Sequence, residues 1–244
     1  MSKLILGLAG LNALAVFVLG VARFSWPSET FWTSHAGWVI AGLVTTALVP
    51  FLQAGLSERG AKRDRKRIER EREIETCLTS SLIYIVKHGG SSWLDAGVQA
   101  FAVQGRWGRQ RQIRVAKVRL RPVGTSGVTW SKDKGVIGRC WATNAQQYED
   151  LETHFSPFED LDETAWDALP VETRFGLSFD DFQHLKGKYG VVAAVPIMNN
   201  KDRYIGCITA DFGPRGSQPS TLKKTEILGS LASTADLVAV VLKH

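Results

Sequence analysis

The chain has 244 residues, a formal net charge of +6 and 44% hydrophobic residues, and its mean hydropathy is −0.06. These values exclude a collagen-like, a disulfide-scaffold and a wholly disordered chain. The three cysteines are scattered and have no metal-ligand spacing. The averages combine two unlike regions, however. The first 56 residues contain only three charged side chains, Lys3, Arg23 and Glu29, whereas residues 58–73 are mostly charged.

Two apolar segments near the N-terminus predict transmembrane helices. Residues 4–22 carry no charge, and at about 1.5 Å per residue they span roughly the 30 Å of a hydrocarbon core. Residues 36–56 form a second such segment, in which Pro50 lies near the end, where a kink is tolerated. The first segment also fits a cleaved secretory signal, although its apolar run is long for one. We expect both to be retained, so that residues 1–56 form a transmembrane helical hairpin.

The charges flanking these segments predict their orientation. The loop over residues 23–35 has one basic residue, Arg23, whereas residues 58–73 have eight. By the positive-inside rule, the N-terminus and everything after residue 56 are therefore cytoplasmic. Aromatic residues at the outer boundary are typical of interfacial anchors. The sequence thus predicts a two-pass protein of the bacterial inner (cytoplasmic) membrane with both termini in the cytoplasm.

Residues 57–88 predict one helix, continuous or kinked, that leads from the membrane into a soluble domain. Residues 57–74 form its charged juxtamembrane part, and an apolar stripe follows at Ile74, Leu78, Leu82 and Ile85 before Gly89–Gly90 ends the helix. Two interpretations stay open. The helix transmits a signal or dimerises, or it is a passive tether whose basic residues lie at anionic head groups.

Residues 112–121 predict a strand in which apolar and basic residues alternate. The apolar face has Ala116, Val118 and Leu120, and the basic face has Lys117, Arg119 and Arg121. Ile113 and Val115 have the opposite parity, which predicts a bulge near Val115. Residues 124–127 predict a turn. Residues 134–143 predict a short glycine-punctuated strand that leads into a helix or a loop.

Residues 146–185 form an acidic crossover that holds 11 of the 24 acidic residues and a single basic one, Arg174. Because a structureless connection of this length is unusual, we expect short helices near residues 159–169 and 179–185. Residues 190–197 and 204–212 predict two strands joined by a hairpin turn at 199–202. Ser220 is the expected cap of a final helix. Its apolar residues repeat at helical spacing: Ile227, Leu231, Ala235, Val238 and Val241.

The order of these segments resembles a GAF domain over about residues 75–244. The motifs that carry the resemblance are Gly135-Val136-Ile137-Gly138, Trp141-Ala142-Thr143, Val195-Pro196-Ile197 and Tyr204-Ile205-Gly206-Cys207-Ile208. The resemblance implies an α+β fold: a GAF-like antiparallel sheet of five or six strands with the N- and C-terminal helices packed on one face. It also implies a ligand pocket on the other face, roofed by the acidic crossover.

The residues that define two ligand subgroups of this family are missing. An Asn-Lys pair precedes Phe-x-x-x-Asp-Glu in the cyclic-nucleotide subgroup, but no such pair precedes Phe158, Asp162 and Glu163. The bilin-binding subgroup has a Cys-His pair in the crossover, and none occurs here. The resemblance therefore implies a fold and a binding role without naming a ligand.

The position of the pocket in this family implies the candidate ligand-binding residues. We predict contacts at the end of the glycine-punctuated segment, in the crossover and, for a ligand phosphate, on the basic strand: Arg139, Trp141, Thr143, Ser178, Phe182 and Arg119.

Known catalytic motifs are missing from the sequence. It has no P-loop, nucleophile elbow, zinc-protease helix or kinase signature, so an enzyme is not expected and no catalytic residue, metal or cofactor is indicated. His88, His154 and His184 are isolated, which favours solvated or capping roles. Cys140 is expected to be a buried small hydrophobe, but its neighbour Arg139 leaves open a redox or adduct site.

Seven basic residues lie between positions 106 and 121 without an acidic residue among them. Three interpretations stay open: these residues bind ligand phosphates, face the anionic inner leaflet, or complement the acidic crossover in the same domain or across a dimer, which we favour. Nucleic acid is not an expected partner, because only Trp107 accompanies the run as a stacking aromatic.

Three functions follow from this organisation. The first is a membrane-anchored cytoplasmic sensor that binds a nucleotide, such as a cyclic nucleotide, or a metabolite. The second is a ligand-gated membrane-disrupting effector of a bacterial nucleotide-signalled phage defence system, since no separate output domain is predicted. The third is a ligand-free dimerising scaffold whose pocket is filled by side chains such as Trp141 and Phe182. The expected partners are inner-membrane lipid, the small molecule and further copies of the chain in a homodimer or higher homo-oligomer.

Overall fold

The computed structural model describes residues 2–90, 92–106, 108–121, 127–214 and 219–243. The chain divides into two compact units, Met1–Ile68 and Glu69–His244. The division lies inside one long helix, so that this helix contributes residues to both units.

The N-terminal unit contains α1 (Ser2–Arg23), α2 (Glu29–Ser34) and the first part of α3 (Ala36–Gly89). The side chain of Ser28 caps α2 by accepting a hydrogen bond from the Phe31 amide at 3.2 Å. Large apolar side chains along the other two helices are exposed, among them Leu6 and Phe51. Both α1 and α3 contain stretches that are long and apolar enough to cross a membrane. The helices predicted at residues 4–22 and 36–56 are confirmed, whereas their insertion in a membrane stays a prediction.

The second unit is built on a five-stranded antiparallel sheet with the order β2-β1-β5-β4-β3. The strands are β1 (Ala96–Gln104), β2 (Arg111–Arg119), β3 (Gln147–Asp150), β4 (Val191–Met198) and β5 (Tyr204–Phe212). The helices after α3 are α4 (Gly135–Thr143), α5 (Leu151–Phe155), α6 (Glu163–Ala168), α7 (Phe179–Leu185) and α8 (Thr225–Lys243). Two short 3₁₀ helices follow α5 and precede α8, at Ser156–Phe158 and Pro219–Lys223.

One face of this sheet is covered by α8 and the last turns of α3. The apolar stripe predicted from Ile74 to Ile85 is buried there with Ile227 and Leu231 of α8, because both helices repeat apolar residues at a helical period. Helix α8 is also long and apolar enough to cross a membrane, but its apolar residues pack on the sheet. Burial of this face joins the first and last helices of the unit in a single core.

The other face of the sheet is covered by α4 and the crossover helices. Their core is aromatic: Trp166 stacks on Phe182 with ring centroids 4.1 Å apart, and Phe155 meets Phe182 edge-on at 5.3 Å. The buried indole Nε1–H of Trp166 donates to the Leu177 carbonyl at 3.2 Å, which satisfies its polar atom. The α+β architecture, with the terminal helices on one face and the crossover on the other, agrees with the one that the resemblance implies.

Several predicted details are confirmed. The bulge lies at Val115, because Ala100 pairs with Ala116 and Phe101 with Arg114. The helix predicted over residues 57–88 is part of α3, and Gly90 follows it at φ +65°. The hairpin around residues 199–202 joins β4 to β5, and the helix predicted at 179–185 is α7.

The glycine-punctuated strand predicted at residues 134–143 is wrong, since this segment is helix α4. Val136, Ile137 and Cys140 are buried on one side of that helix, and their i, i+1, i+4 spacing is that of a helix. Gly135 begins the helix at φ +64°, and a Cβ on Gly138 would overlap the Ser131 carbonyl oxygen. The glycines therefore mark a tight helix entry and a close backbone approach rather than strand ends.

Three smaller differences concern element boundaries. Ser220 is not the cap of α8, because it lies in the 3₁₀ helix and α8 begins at Thr225. The helix expected near residues 159–169 is α6, which is shorter because Asp162 caps it by accepting from the Ala165 amide at 2.8 Å. Strand β3 was not predicted. The turn predicted at residues 124–127 lies outside the described residues, apart from Gly127.

Candidate functional site

A cavity of about 370 Å³ lies between the sheet and the crossover. Its floor is the sheet face that looks away from α3 and α8. Its walls come from the segment before α4, from α4 itself and from the crossover. The volume is within the usual range of small-molecule sites, about 300–1,000 Å³.

The floor of the cavity combines polar side chains with the apolar Phe101 of β1 and Val192 of β4. The polar side chains come from the three adjacent strands β2, β1 and β5: Gln112, Arg114, Gln99, Thr209 and Asp211. The bulge at Val115 explains this set, because it reverses the alternation of β2. Gln112 and Arg114 thereby share a face with Arg119, which uninterrupted alternation would not allow.

The roof of the cavity is apolar. Val136 and Ile137 of α4, Leu151 and Phe155 of α5, and Phe175 from the loop before α7 line it, and all five are buried. They belong to the aromatic core of the crossover. The cavity therefore has one side that carries the polar groups and one apolar side, the arrangement expected of a site that orients an amphipathic molecule.

A buried ion pair spans three strands on the same face of the sheet as this floor. Arg119 of β2 and Asp211 of β5 are both register partners of Gly97 on β1, which lies between them. The two side chains form a salt bridge over β1 and are 2% exposed. A Cβ on Gly97 would overlap the guanidinium, so that the glycine provides the space through which Arg119 reaches Asp211. Burial lowers the pKa of Arg119, since desolvation disfavours the charged form.

The ion pair continues into a hydrogen-bonded chain that reaches the cavity. Gln99 donates from Nε2 to Oδ1 of Asp211 at 3.0 Å, and its Oε1 accepts from Nη1 of Arg114 at 3.3 Å. The pKa of Lys117, on the same strand, is lowered by burial and then by the charges of Arg114 and Arg119. The β2 side of the floor therefore has a positive potential.

Gln112 is the second buried polar group of the floor. Its Nε2 donates to the Ile137 carbonyl at 3.1 Å, and its Oε1 accepts from the Tyr204 hydroxyl at 2.9 Å and from the Cys207 thiol at 3.3 Å. These bonds tie β2 to α4 and β5. Burial raises the pKa of Cys207 and of Tyr204, so both groups stay protonated at neutral pH.

The structure gives no access to Cys140, the thiol for which a redox or adduct role was left open. Cys140 is fully buried, and reactive cysteines are partly exposed thiolates. Among the described residues, no group of three or more histidine, cysteine or acidic side chains is placed to hold a metal ion.

The predicted ligand contacts of α4 lie beside the cavity rather than among its lining residues. Arg139 pairs with Glu149 at 3.1 Å, and its guanidinium carbon lies 4.6 Å from the centre of the Phe175 ring, which lines the cavity. Thr143 donates to the Arg139 carbonyl at 2.9 Å. Trp141 stacks on Tyr204 with ring centroids 5.9 Å apart. Their contact with a ligand stays a prediction.

The remaining predicted contacts have structural partners. Ser178 caps α7 in a reciprocal capping box with Asp181, and Phe182 is fully buried against Trp166. Arg119 lies on the same face of the sheet as the floor and is bonded to the lining residue Asp211. None of the three is among the cavity-lining residues in the described part of the chain, and a role in ligand binding stays a prediction for each.

Within one chain, the ion pairs of the described residues do not join the basic run to the acidic crossover, and pairing across a dimer stays a prediction. In the described residues, Arg119 pairs with Asp211 of β5 and Arg121 approaches Asp95 at 3.8 Å, and neither acid belongs to the crossover. The crossover acids pair instead with bases outside the run, as in Arg139–Glu149, Arg174–Asp167 and Lys134–Asp181.

No family model and no curated protein matches the chain, but solved structures do. The type II free methionine-R-sulfoxide reductase of Thermoplasma acidophilum is 15% identical with a TM-score of 0.41, over 70% of this chain and 94% of the reductase. The GAF domain of the Acinetobacter phosphoenolpyruvate-protein phosphotransferase is 12% identical with a TM-score of 0.43, over 75% and 93%. The cyanobacteriochrome receptor PixJ is 12% identical with a TM-score of 0.43, over 73% and 98%. Similarities this low indicate neither a ligand nor an activity for this chain.

Proposed function

We propose that the protein is a membrane-anchored sensor whose C-terminal unit binds a small molecule, a nucleotide or a metabolite, in the cavity between the sheet and the crossover. The observation that carries the proposal is the cavity itself, with the buried polar groups of its floor and its apolar roof. Buried polar groups are costly, and here several of them converge on one cavity, as in sites that orient a ligand.

The membrane anchor in this proposal consists of α1 and the first part of α3. Exposed leucine, valine and phenylalanine side chains along both helices suit contact with lipid. The basic residues that follow in α3 favour a cytoplasmic location for that part of the chain. Because α3 runs unbroken from Ala36 to Gly89, the helix that is anchored also supplies core residues beneath the sheet.

Ligand binding is tested on the full-length protein in lipid nanodiscs by thermal unfolding with a panel of nucleotides, amino acids and organic acids. A ligand at about 100 times its Kd stabilises the folded state by about 2.7 kcal/mol, so we expect at least one compound to raise the Tm. Val192→Phe should abolish that increase, because Val192 is buried on β4 and lines the cavity.

The matched control is Val171→Phe, which adds the same side chain at a position that is 55% exposed. It should leave the ligand-induced increase unchanged. A panel without any stabilising compound, or an increase that survives in Val192→Phe, would contradict the proposal.

A second candidate function is a ligand-gated effector whose output is the membrane itself, as in nucleotide-signalled phage defence. The continuity of α3 favours it, since one helix belongs to both units. Expression of the protein together with its ligand should then depolarise cells, measured with a potential-sensitive dye. If a ligand that binds in vitro leaves the membrane potential unchanged, the effector function is contradicted and the sensor function is retained.

A further inference from the structure

The mouth of the cavity carries positive charge without a compensating carboxylate. Arg111 and Arg114 line the cavity and are exposed, as are Gly127 and Thr129. Among the described residues, neither arginine forms an ion pair. The acidic lining residue, Asp211, is already paired with Arg119 on the same face of the sheet. A ligand that enters here therefore meets two cations.

Arg114 keeps donors for a ligand. Among the described residues its side chain makes one hydrogen bond, from Nη1 to Gln99 at 3.3 Å, which engages a single N–H of a guanidinium that has five. A guanidinium matches a carboxylate or a phosphate with two parallel hydrogen bonds.

The interior offers few polar groups to read a nucleobase or a ribose. Both side-chain amides of the floor are engaged with the protein: Gln99 bonds Asp211 and Arg114, and Gln112 bonds Ile137, Tyr204 and Cys207. The roof is apolar. A ligand body with several hydrogen-bonding groups would lose its bonds to water there without replacing them, which is costly.

We propose that the ligand is an amphipathic organic monocarboxylate. Its carboxylate pairs with Arg114 at the mouth, and its ring or branched alkyl body lies under α4 and the crossover, against Ile137, Phe155 and Phe175. The inference rests on the proposed function, because it names the ligand class of the same cavity.

The test uses the full-length protein in nanodiscs of a neutral phosphatidylcholine and isothermal titration calorimetry, with the heat of empty nanodiscs subtracted. The probes are 2-naphthylacetate, its uncharged amide 2-naphthylacetamide, and cyclic AMP. A hydrogen bond to a charged group contributes about 1.5–3 kcal/mol, so the acid should bind about tenfold to a hundredfold more tightly than the amide.

Arg114→Gln should remove this preference, and Arg203→Gln should retain it. Arg203 is an exposed arginine of the β4–β5 turn and does not line the cavity. Equal affinities for the acid and the amide, or an acid affinity that Arg114→Gln leaves unchanged, would overturn the proposal.

Tighter binding of cyclic AMP than of naphthylacetate would also overturn the monocarboxylate class, while leaving small-molecule binding intact. If none of the three probes binds, the inference fails. The proposed function fails with it only when every compound of the wider thermal-unfolding panel fails as well, so the two results are distinguishable.

Discussion

Gly97 shows how one residue of β1 determines the electrostatics of the cavity floor. It is the register partner of both Arg119 and Asp211, and any side chain there would block the salt bridge that passes over it. A sequence pattern cannot reveal this role, because the three residues are far apart in the chain. Their proximity follows only from the strand order β2-β1-β5.

Gly97→Ala should destabilise the protein by about 1–3 kcal/mol, the usual cost of overpacking a buried site. The added Cβ displaces the Arg119 guanidinium from Asp211. Thermal unfolding of the full-length protein measures the effect. The control is Gly229→Ala in α8, where a Cβ meets nothing within 4 Å and should raise stability by about 0.5–1 kcal/mol, as alanine does in a helix. Equal effects of the two substitutions would refute this account of Gly97.

Arg119→Met should destabilise the protein by about 3–5 kcal/mol, because it leaves the buried carboxylate of Asp211 without its counter-charge. The double variant Arg119→Met with Asp211→Leu should recover much of that loss, since an apolar pair of similar volume avoids the desolvation of both charges. Unfolding of both variants, compared as a double-mutant cycle, measures the coupling. A double variant that loses the sum of the two single losses would show that the pair is not coupled.

At this scale the ligand contacts predicted from the sequence do not coincide with the cavity-lining residues of the described chain, and whether they contact a ligand stays a prediction. The predicted contacts came from the position of a pocket in a family, whereas the polar residues of the floor lie on strands that otherwise read as apolar. Gln99 lies within buried β1, and Thr209 and Asp211 lie within buried β5. Polar side chains at buried strand positions were a usable signal, because such groups need partners or a function.

At the scale of elements, strands and long helices were predictable, and short helices and local caps were less so. The parity change at Val115 predicted the bulge, and the 3.6-residue period predicted the buried side of α8. The segment at α4 failed because two apolar residues between glycines fit either period. What decides in favour of a helix is tertiary: Gly138 must pack against the backbone of Ser131.

Helix α7 provides a pH-dependent prediction. Its N-cap is a capping box between Ser178 and Asp181, and Asp181 also pairs with Lys134. Burial alone would raise the pKa of Asp181, but the hydrogen bonds from Lys134 and Ser178 lower it overall. Because the folded-state pKa is below the unfolded one, of about 3.9, this contribution is complete above that pH and is lost as the pH falls through the folded-state pKa.

Asp181→Asn should therefore lower stability by about 1 kcal/mol at pH 7, the typical value of an N-terminal cap. The difference from the native protein should vanish as the pH falls below the folded-state pKa. Asp180→Asn is the control, since Asp180 is an exposed acid of the same helical turn and should have little effect. Thermal unfolding of each variant and of the native protein from about pH 3 to about pH 7, a range that includes the unfolded-state pKa of an aspartate, measures the two differences in stability. A loss in Asp181→Asn that does not depend on pH would contradict the electrostatic part of the argument.

At the scale of the whole molecule, the uneven distribution of charge is the main prediction from sequence. The scarcity of charge before position 56 predicts the two apolar helices, and the structure confirms them as helices. The eight bases that follow predict the topology, which stays a prediction. The ion pairs of the second unit were not predictable, because the acids and bases that meet in space are separated by strands and turns.

The predicted topology is tested by cysteine labelling in intact cells, in a background with Cys77→Ser. A membrane-impermeant maleimide should label Thr30→Cys, in the loop predicted to face outward, without lysis. It should label Glu71→Cys, in the charged part of α3, only after lysis. Labelling of Glu71→Cys alone in intact cells would indicate the opposite orientation. Labelling of both variants, or of neither, in intact cells would contradict a two-pass arrangement.

The position of β1 in the sheet has a consequence for folding. The neighbour of β1 on one side, β2, follows within a few residues, but its neighbour on the other side, β5, begins only at Tyr204. Contacts between segments so far apart in sequence form slowly, and domains fold during synthesis only as their parts emerge from the ribosome. Until β5 has emerged, the inner edge of β1 has no strand to pair with and Arg119 has no carboxylate to meet. The order of the strands thus makes closure of the sheet depend on a strand that begins only at Tyr204, and until that strand is made the unpaired edge of β1 is open to aggregation.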